Sequence, residues 1–100
     1  MDSQASGSEE VARRVVVKGR VTGVGFRFFT VRQAESVGGI KGYVRNADNS
    51  TVECVLQGPE PKVHKLIRRL REGPGMASVR DMEIEDISPD PNRDAFHVAY

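Results

Sequence analysis

Val15, Val17 and Val21 fall on one side of an alternating stretch whose other side carries Lys18 and Arg20. That period of two predicts a strand over about Arg14–Arg20. It leads into Val21-Thr22-Gly23-Val24-Gly25, where the glycines allow an irregular tight loop. From there the spacing widens. Phe26, Phe29, Thr30, Ala34 and Val37 recur three or four apart, which predicts a helix over Phe26–Val37 stopped by Gly38-Gly39. Ile40–Asn46 and Thr51–Gln57 return to strand character on either side of the turn-rich Ala47-Asp48-Asn49-Ser50, with Val52, Cys54 and Leu56 sharing a face. Gly58-Pro59-Glu60-Pro61 opens a second helix, where an early proline costs no hydrogen bond. Its apolar stripe is Val63, Leu66, Ile67 and Leu70, and Gly73-Pro74-Gly75 ends it. A fourth strand over Val79–Ile87, a Pro/Asp/Asn loop and a short strand over Phe96–Tyr100 complete the chain.

The order β-α-β-β-α-β, with a short fifth strand, makes two split βαβ units. With right-handed crossovers they give an antiparallel sheet carrying both helices on one face, a ferredoxin-like α/β sandwich. That fold hosts many functions, so the site has to decide among them.

Composition narrows the setting. One hundred residues, 38% hydrophobic and 29% charged, suit one globular domain. Met1–Glu10 is polar and acidic, so residues 1–12 are expected to form a disordered tail and residues 13–100 the domain. Apolar runs reach three residues, as in Val15-Val16-Val17, too short for a membrane span or a secretory signal. A lone Cys54 and two scattered histidines, His64 and His97, form neither an internal disulfide nor a zinc site. The expected location is cytoplasmic.

The net charge of +1 hides an asymmetry: residues 13–45 hold eight Lys/Arg against one acid, and residues 81–94 hold six acids against one base. A positive N-terminal half suits small anions or nucleic acid. Within it, Gly19 to Arg27 runs from a strand through a glycine loop into a helix N-terminus. Such a junction aims unpartnered N–H groups and the positive end of a helix dipole at one spot. Arg27, a cation in the first turn, is unfavourable by a few tenths of a kcal/mol, roughly, unless an anion lies beside it. Taken alone, such a segment is more often an ordinary tight connection with a solvated arginine. It is neither a Walker loop nor a dinucleotide fingerprint.

Gly19-Arg20-Val21, Gly23-Val24-Gly25-Phe26-Arg27, Gly42-Tyr43-Val44-Arg45-Asn46 and Thr51-Val52-Glu53 together resemble the signatures of the acylphosphatases. Gln57-Gly58-Pro59, Gly73-Pro74, Ala77-Ser78-Val79 and a terminal strand ending in Tyr100 fit the same family, so the resemblance spans about Arg14–Tyr100. Thr22 stands where the family commonly has glutamine, and Asn49-Ser50 replaces a frequent Asp-Gly turn.

The resemblance implies hydrolysis of acyl phosphates to a carboxylate and inorganic phosphate. It implies a phosphate-binding loop of Thr22, Gly23, Val24, Gly25, Phe26 and Arg27, with Asn46 orienting the attacking water. Asn46 is expected at the end of the second strand, lying beside the first. The carboxylate product is a weak base, so the chemistry needs no strong general acid, and no metal, cofactor, nucleophilic cysteine or catalytic histidine is called for. A monomer acting on a small molecule is expected, with neither nucleic acid nor membrane as partner. A rival reading is an RNA-binding sheet, for which Gly25-Phe26-Arg27-Phe28-Phe29 is a faint signature that requires its aromatics on an exposed central strand. A third is a carbamoyl-phosphate-processing module of a larger protein, which would share the same cradle.

Overall fold

The computed structural model describes residues 9–100, and most of the expected tail, Met1–Ser8, lies outside the described residues. The elements are β1 (Glu10–Arg20), α1 (Phe26–Val37), β2 (Lys41–Asp48), β3 (Thr51–Pro59), α2 (Glu60–Glu72), β4 (Ser78–Ile87) and β5 (Phe96–Val98). They build a five-stranded sheet in the order β4-β1-β3-β2-β5. Its main pairings are antiparallel, and β5 joins the edge parallel to β2, so the sheet is mixed rather than wholly antiparallel.

One face of the sheet carries the core. Val15 and Val17 of β1, Val44 of β2, and Val52, Cys54 and Leu56 of β3 pack against Phe26 and Ala34 of α1 and Val63, Leu66, Ile67 and Leu70 of α2. These are the positions that the two periods select, because a strand turns every second side chain, and a helix every third or fourth, toward the same layer.

β1 begins at Glu10, four residues before the expected Arg14, so Glu10–Ala12 belong to the strand and not to the tail. The alternation is obscured there by Arg13 and Arg14, yet Glu10 pairs with Pro59 and Ala12 with Gln57. β3 supplies the pairing partner that extends the strand. β3 itself is buried on both faces, including Glu53, Val55 and Gln57 on the side away from the helices. Gln57 is covered by the β4–β5 connection, which crosses from one sheet edge to the other: it accepts from Asp90 N–H (2.9 Å) and Arg93 (2.6 Å) and donates to the Asp90 carbonyl (3.0 Å).

Candidate active site

β1 delivers the chain into the loop with Val21 buried in the core. Gly23 (φ 70°) and Gly25 (φ 77°) then take left-handed backbone conformations, which L side chains adopt only under strain. Gly25 is the residue preceding α1, and its carbonyl accepts the first helical hydrogen bond, from Phe29 N–H at 2.9 Å. The N–H groups of Phe26, Arg27 and Phe28 therefore have no partner inside the helix. No side chain caps this end, and no acid occupies its first turn. Where a helix would ordinarily place an acid, α1 places Arg27.

Much of the charge asymmetry along the chain cancels in space. Arg13 pairs with Asp86 at 2.9 Å and Lys18 with Glu83 at 2.9 Å, because β1 and β4 are neighbours. Buried Glu53 takes Arg14 and Arg45, each at 2.6 Å. Arg27 has no such carboxylate among the described residues. Its guanidinium carbon lies 5.4 Å from the centre of the Tyr100 ring, a cation–π approach that leaves the N–H fork free for an anion.

Asn46 reaches this spot by a route different from the expected one. β2 does not lie beside β1; β3 stands between them. Val52 of β3 pairs with Val17 of β1 on one side and with Asn46 on the other. Asn46 therefore sits two strand spacings from β1, roughly 9.5 Å away. It shares the helix-side face with Val44, so it turns toward the N-terminus of α1. The result is a cavity of about 90 Å³ lined by Val21, Gly23, Gly25, Phe26, Arg27, Phe28 and Asn46.

Two contacts tie the end of β1 and the loop to the β2–β3 turn. Gly19 N–H donates to the Ser50 carbonyl at 3.0 Å, and Thr22 Oγ1 donates to the Asn49 carbonyl at 2.5 Å. In the turn, Asp48 accepts from Ser50 N–H at 2.9 Å, and this bond, with the Thr51 side chain, holds its carboxyl below the usual range. The Thr22 side chain thus serves the turn rather than the cavity. Val24 packs against the core and is likewise no part of the lining. Val21, Phe28 and Tyr100 enter the site although the motif reading gave them no role there. Only the exposure of Phe28, which follows from its place out of step with Phe26, Thr30 and Ala34, could have been read from the spacing.

The other reactive groups stand elsewhere. Cys54 is fully buried, and burial above all, then the charge of Glu53, pushes its thiol far up, which keeps it neutral and inert. His64 and His97 are exposed on α2 and β5. Among the described residues no group of three or more His, Cys, Asp or Glu could hold a metal ion. Larger hollows of about 390 and 260 Å³ lie against β4, and neither is lined by a residue of the loop or by Asn46.

Residues 13–98 match the acylphosphatase family model. The acylphosphatase of Koribacter versatilis is 41% identical over 86 residues, 86% of this chain and 77% of its own. That of Caldivirga maquilingensis is 44% identical over 88 residues, 87% of this chain and 92% of its own. Among solved structures, the acylphosphatase from Bacillus subtilis superposes with a TM-score of 0.84 at 29% identity, over 90% of this chain and 99% of that one.

Proposed function

The chain belongs to the acylphosphatase family and hydrolyses acyl phosphates, and from that premise we propose how its residues divide the work. Arg27 and the backbone N–H groups of the Thr22–Arg27 loop hold the phosphoryl oxygens, and Asn46 orients the attacking water. The observation that carries this reading is the convergence of Arg27, the free amides at the start of α1 and Asn46 on one small cavity.

The chemistry suits these groups. Phosphoryl transfer to water is mostly positioning and charge stabilisation, and the carboxylate leaves without needing a proton. The Asn46 amide can align the water but cannot take its proton at neutral pH. A phosphoryl oxygen of the substrate accepts it. As the bond between phosphorus and the acyl oxygen breaks, that oxygen keeps the electron pair and departs in the carboxylate. The products are the carboxylate and inorganic phosphate.

No metal is assigned a step, and turnover should persist in excess EDTA. The reading also takes the enzyme as a cytoplasmic monomer that does not act on nucleic acid. β1 and β3, the strands an RNA-binding sheet would use, contain no aromatic residue, and Phe26 and Phe29 belong to the core.

Arg27→Gln and Asn46→Ala test the division of roles. Arg27→Gln should weaken phosphate binding and turnover together, by about 1.5–3 kcal/mol for a charge-assisted contact. Asn46→Ala should cut turnover by roughly 10²–10³ while phosphate affinity, read by calorimetry, stays near that of the parent. A fully active Asn46→Ala, or one that loses phosphate as Arg27→Gln does, overturns the assignment.

A further inference from the structure

Among the described residues, Phe28, at 62% exposure, and Tyr100, at 99%, are two of four large apolar or aromatic side chains left in water, and both stand at the active site. Tyr100 is engaged with the Arg27 guanidinium. Phe28 has no such occupation. Its neighbours go inward: Phe26 is buried, and Phe29 packs against it with ring centres 5.9 Å apart. Phe28 itself contributes little to the core, and a polar side chain at that position would serve the helix without exposing a ring. It lines the same cavity as Arg27 and Asn46.

The cavity is small. Its volume of about 90 Å³ is well under the roughly 300 Å³ at which pockets begin to enclose a drug-sized ligand. On the reading above, it is a phosphoryl group that this cavity would take, with its three non-bridging oxygens toward the amides and the Arg27 fork. The bridging oxygen and the acyl group must then leave through the mouth, where Phe28 offers the exposed apolar surface. A ring lying there loses its contact with water when an apolar acyl group covers it, and a flat acyl group can stack on it as well.

We propose that Phe28 determines specificity: its ring is the shelf on which the acyl group lies, so the enzyme selects acyl phosphates with aryl or other apolar acyl groups over those with small ones. This rests on the reading that the cradle holds the phosphoryl end.

The test compares kcat/KM for benzoyl phosphate and acetyl phosphate in the parent, Phe28→Ala, Phe28→Leu and Arg27→Gln. Phe28→Ala should lower the benzoyl-to-acetyl ratio roughly tenfold, and Phe28→Leu should recover part of the loss. A ratio that does not move, or an equal loss on both substrates, overturns the role of Phe28. Arg27→Gln reports separately on the cradle and should depress both substrates alike. If it retains both, the cradle reading fails and the shelf fails with it.

Discussion

The two helices begin in opposite ways. α2 starts after Pro59, with Glu60 in its first turn and Arg69 and Arg71 in its last, so charges complement the helix dipole at both ends. Glu60 also lies 3.5 Å from Arg13 and 3.8 Å from His64. α1 starts after a left-handed Gly25, has no acid in its first turn and no base in its last, and carries Arg27 in the first turn, where α2 carries Glu60. An end that neutralises itself has no need of a ligand. An uncapped end that adds an arginine to its own dipole concentrates positive potential, and a phosphoryl group can supply the missing anion. The contrast shows the terminus of α2 arranged for stability and that of α1 for binding, at some expense to the helix.

The most severe way to break the contrast is to make α1 begin as α2 does. Arg27→Glu should abolish phosphate binding and lower kcat/KM by at least about a thousandfold. The same change should raise the unfolding free energy by about 0.3–1 kcal/mol, since the acid now complements the dipole. Kinetics beside denaturant unfolding would read both. A variant that is inactive and clearly less stable would mean that Arg27 holds the fold rather than the ligand.

Gly25→Ala tests the backbone instead. Nothing lies within 4 Å of an added Cβ, so the cost comes from the positive φ alone and should be about 1–2 kcal/mol of stability. Phosphate affinity should fall too, because the amides lose their aim. Unchanged stability and affinity would show that the left-handed conformation is dispensable.

At the other helix, Glu60→Gln should cost only about 0.3–1 kcal/mol, the value of a partly exposed acid at a helix start. Turnover should not change. A substantial loss of activity there would erase the distinction between the two termini.

The smallest effect concerns the turn that the loop of α1 leans on. The Asp48 carboxyl is held below its ordinary range by the Ser50 N–H and then by Thr51, so it favours the folded state only when ionised. That contribution is complete above the unfolded value of about 3.9 and is lost as pH falls through the lower folded value. Asp48→Asn should therefore flatten the acid limb of the unfolding midpoint against pH and leave the neutral region nearly untouched. An acid limb identical to that of the parent would remove Asp48 from the account.

The local periods made most elements legible. α1 occupies the expected Phe26–Val37, since its apolar positions recur at helical spacing and glycines bound both ends. The beginning of β1 was not legible, because Arg13 and Arg14 interrupt the apolar alternation, and pairing with β3 is what extends the strand to Glu10. Nor was the double burial of β3. Glu53 looks like a solvent-facing position until Arg14 and Arg45 close over it, and Gln57 until the β4–β5 connection crosses the sheet. Of the motif residues, Gly23, Gly25, Phe26, Arg27 and Asn46 line the cavity, while the side chains of Thr22 and Val24 turn to the β2–β3 turn and the core, which a one-dimensional motif does not distinguish.

Short-range steric and hydrogen-bonding preferences act over a few neighbours, so the sequence by itself determined which segments become strand, loop and helix, the first residues of β1 excepted. It also determined that a glycine loop leads Arg27 into an uncapped helix start. Which residues meet depends on contacts between segments distant along the chain, and these only the tertiary structure decided. The interposition of β3 brings Asn46 in from two strands away rather than one. The neighbouring β4 and β3 neutralise Arg13, Arg14 and Lys18 of β1 and Arg45 of β2. The mouth of the cavity is left to Phe28, with Tyr100 laid against Arg27 from the far end of the chain.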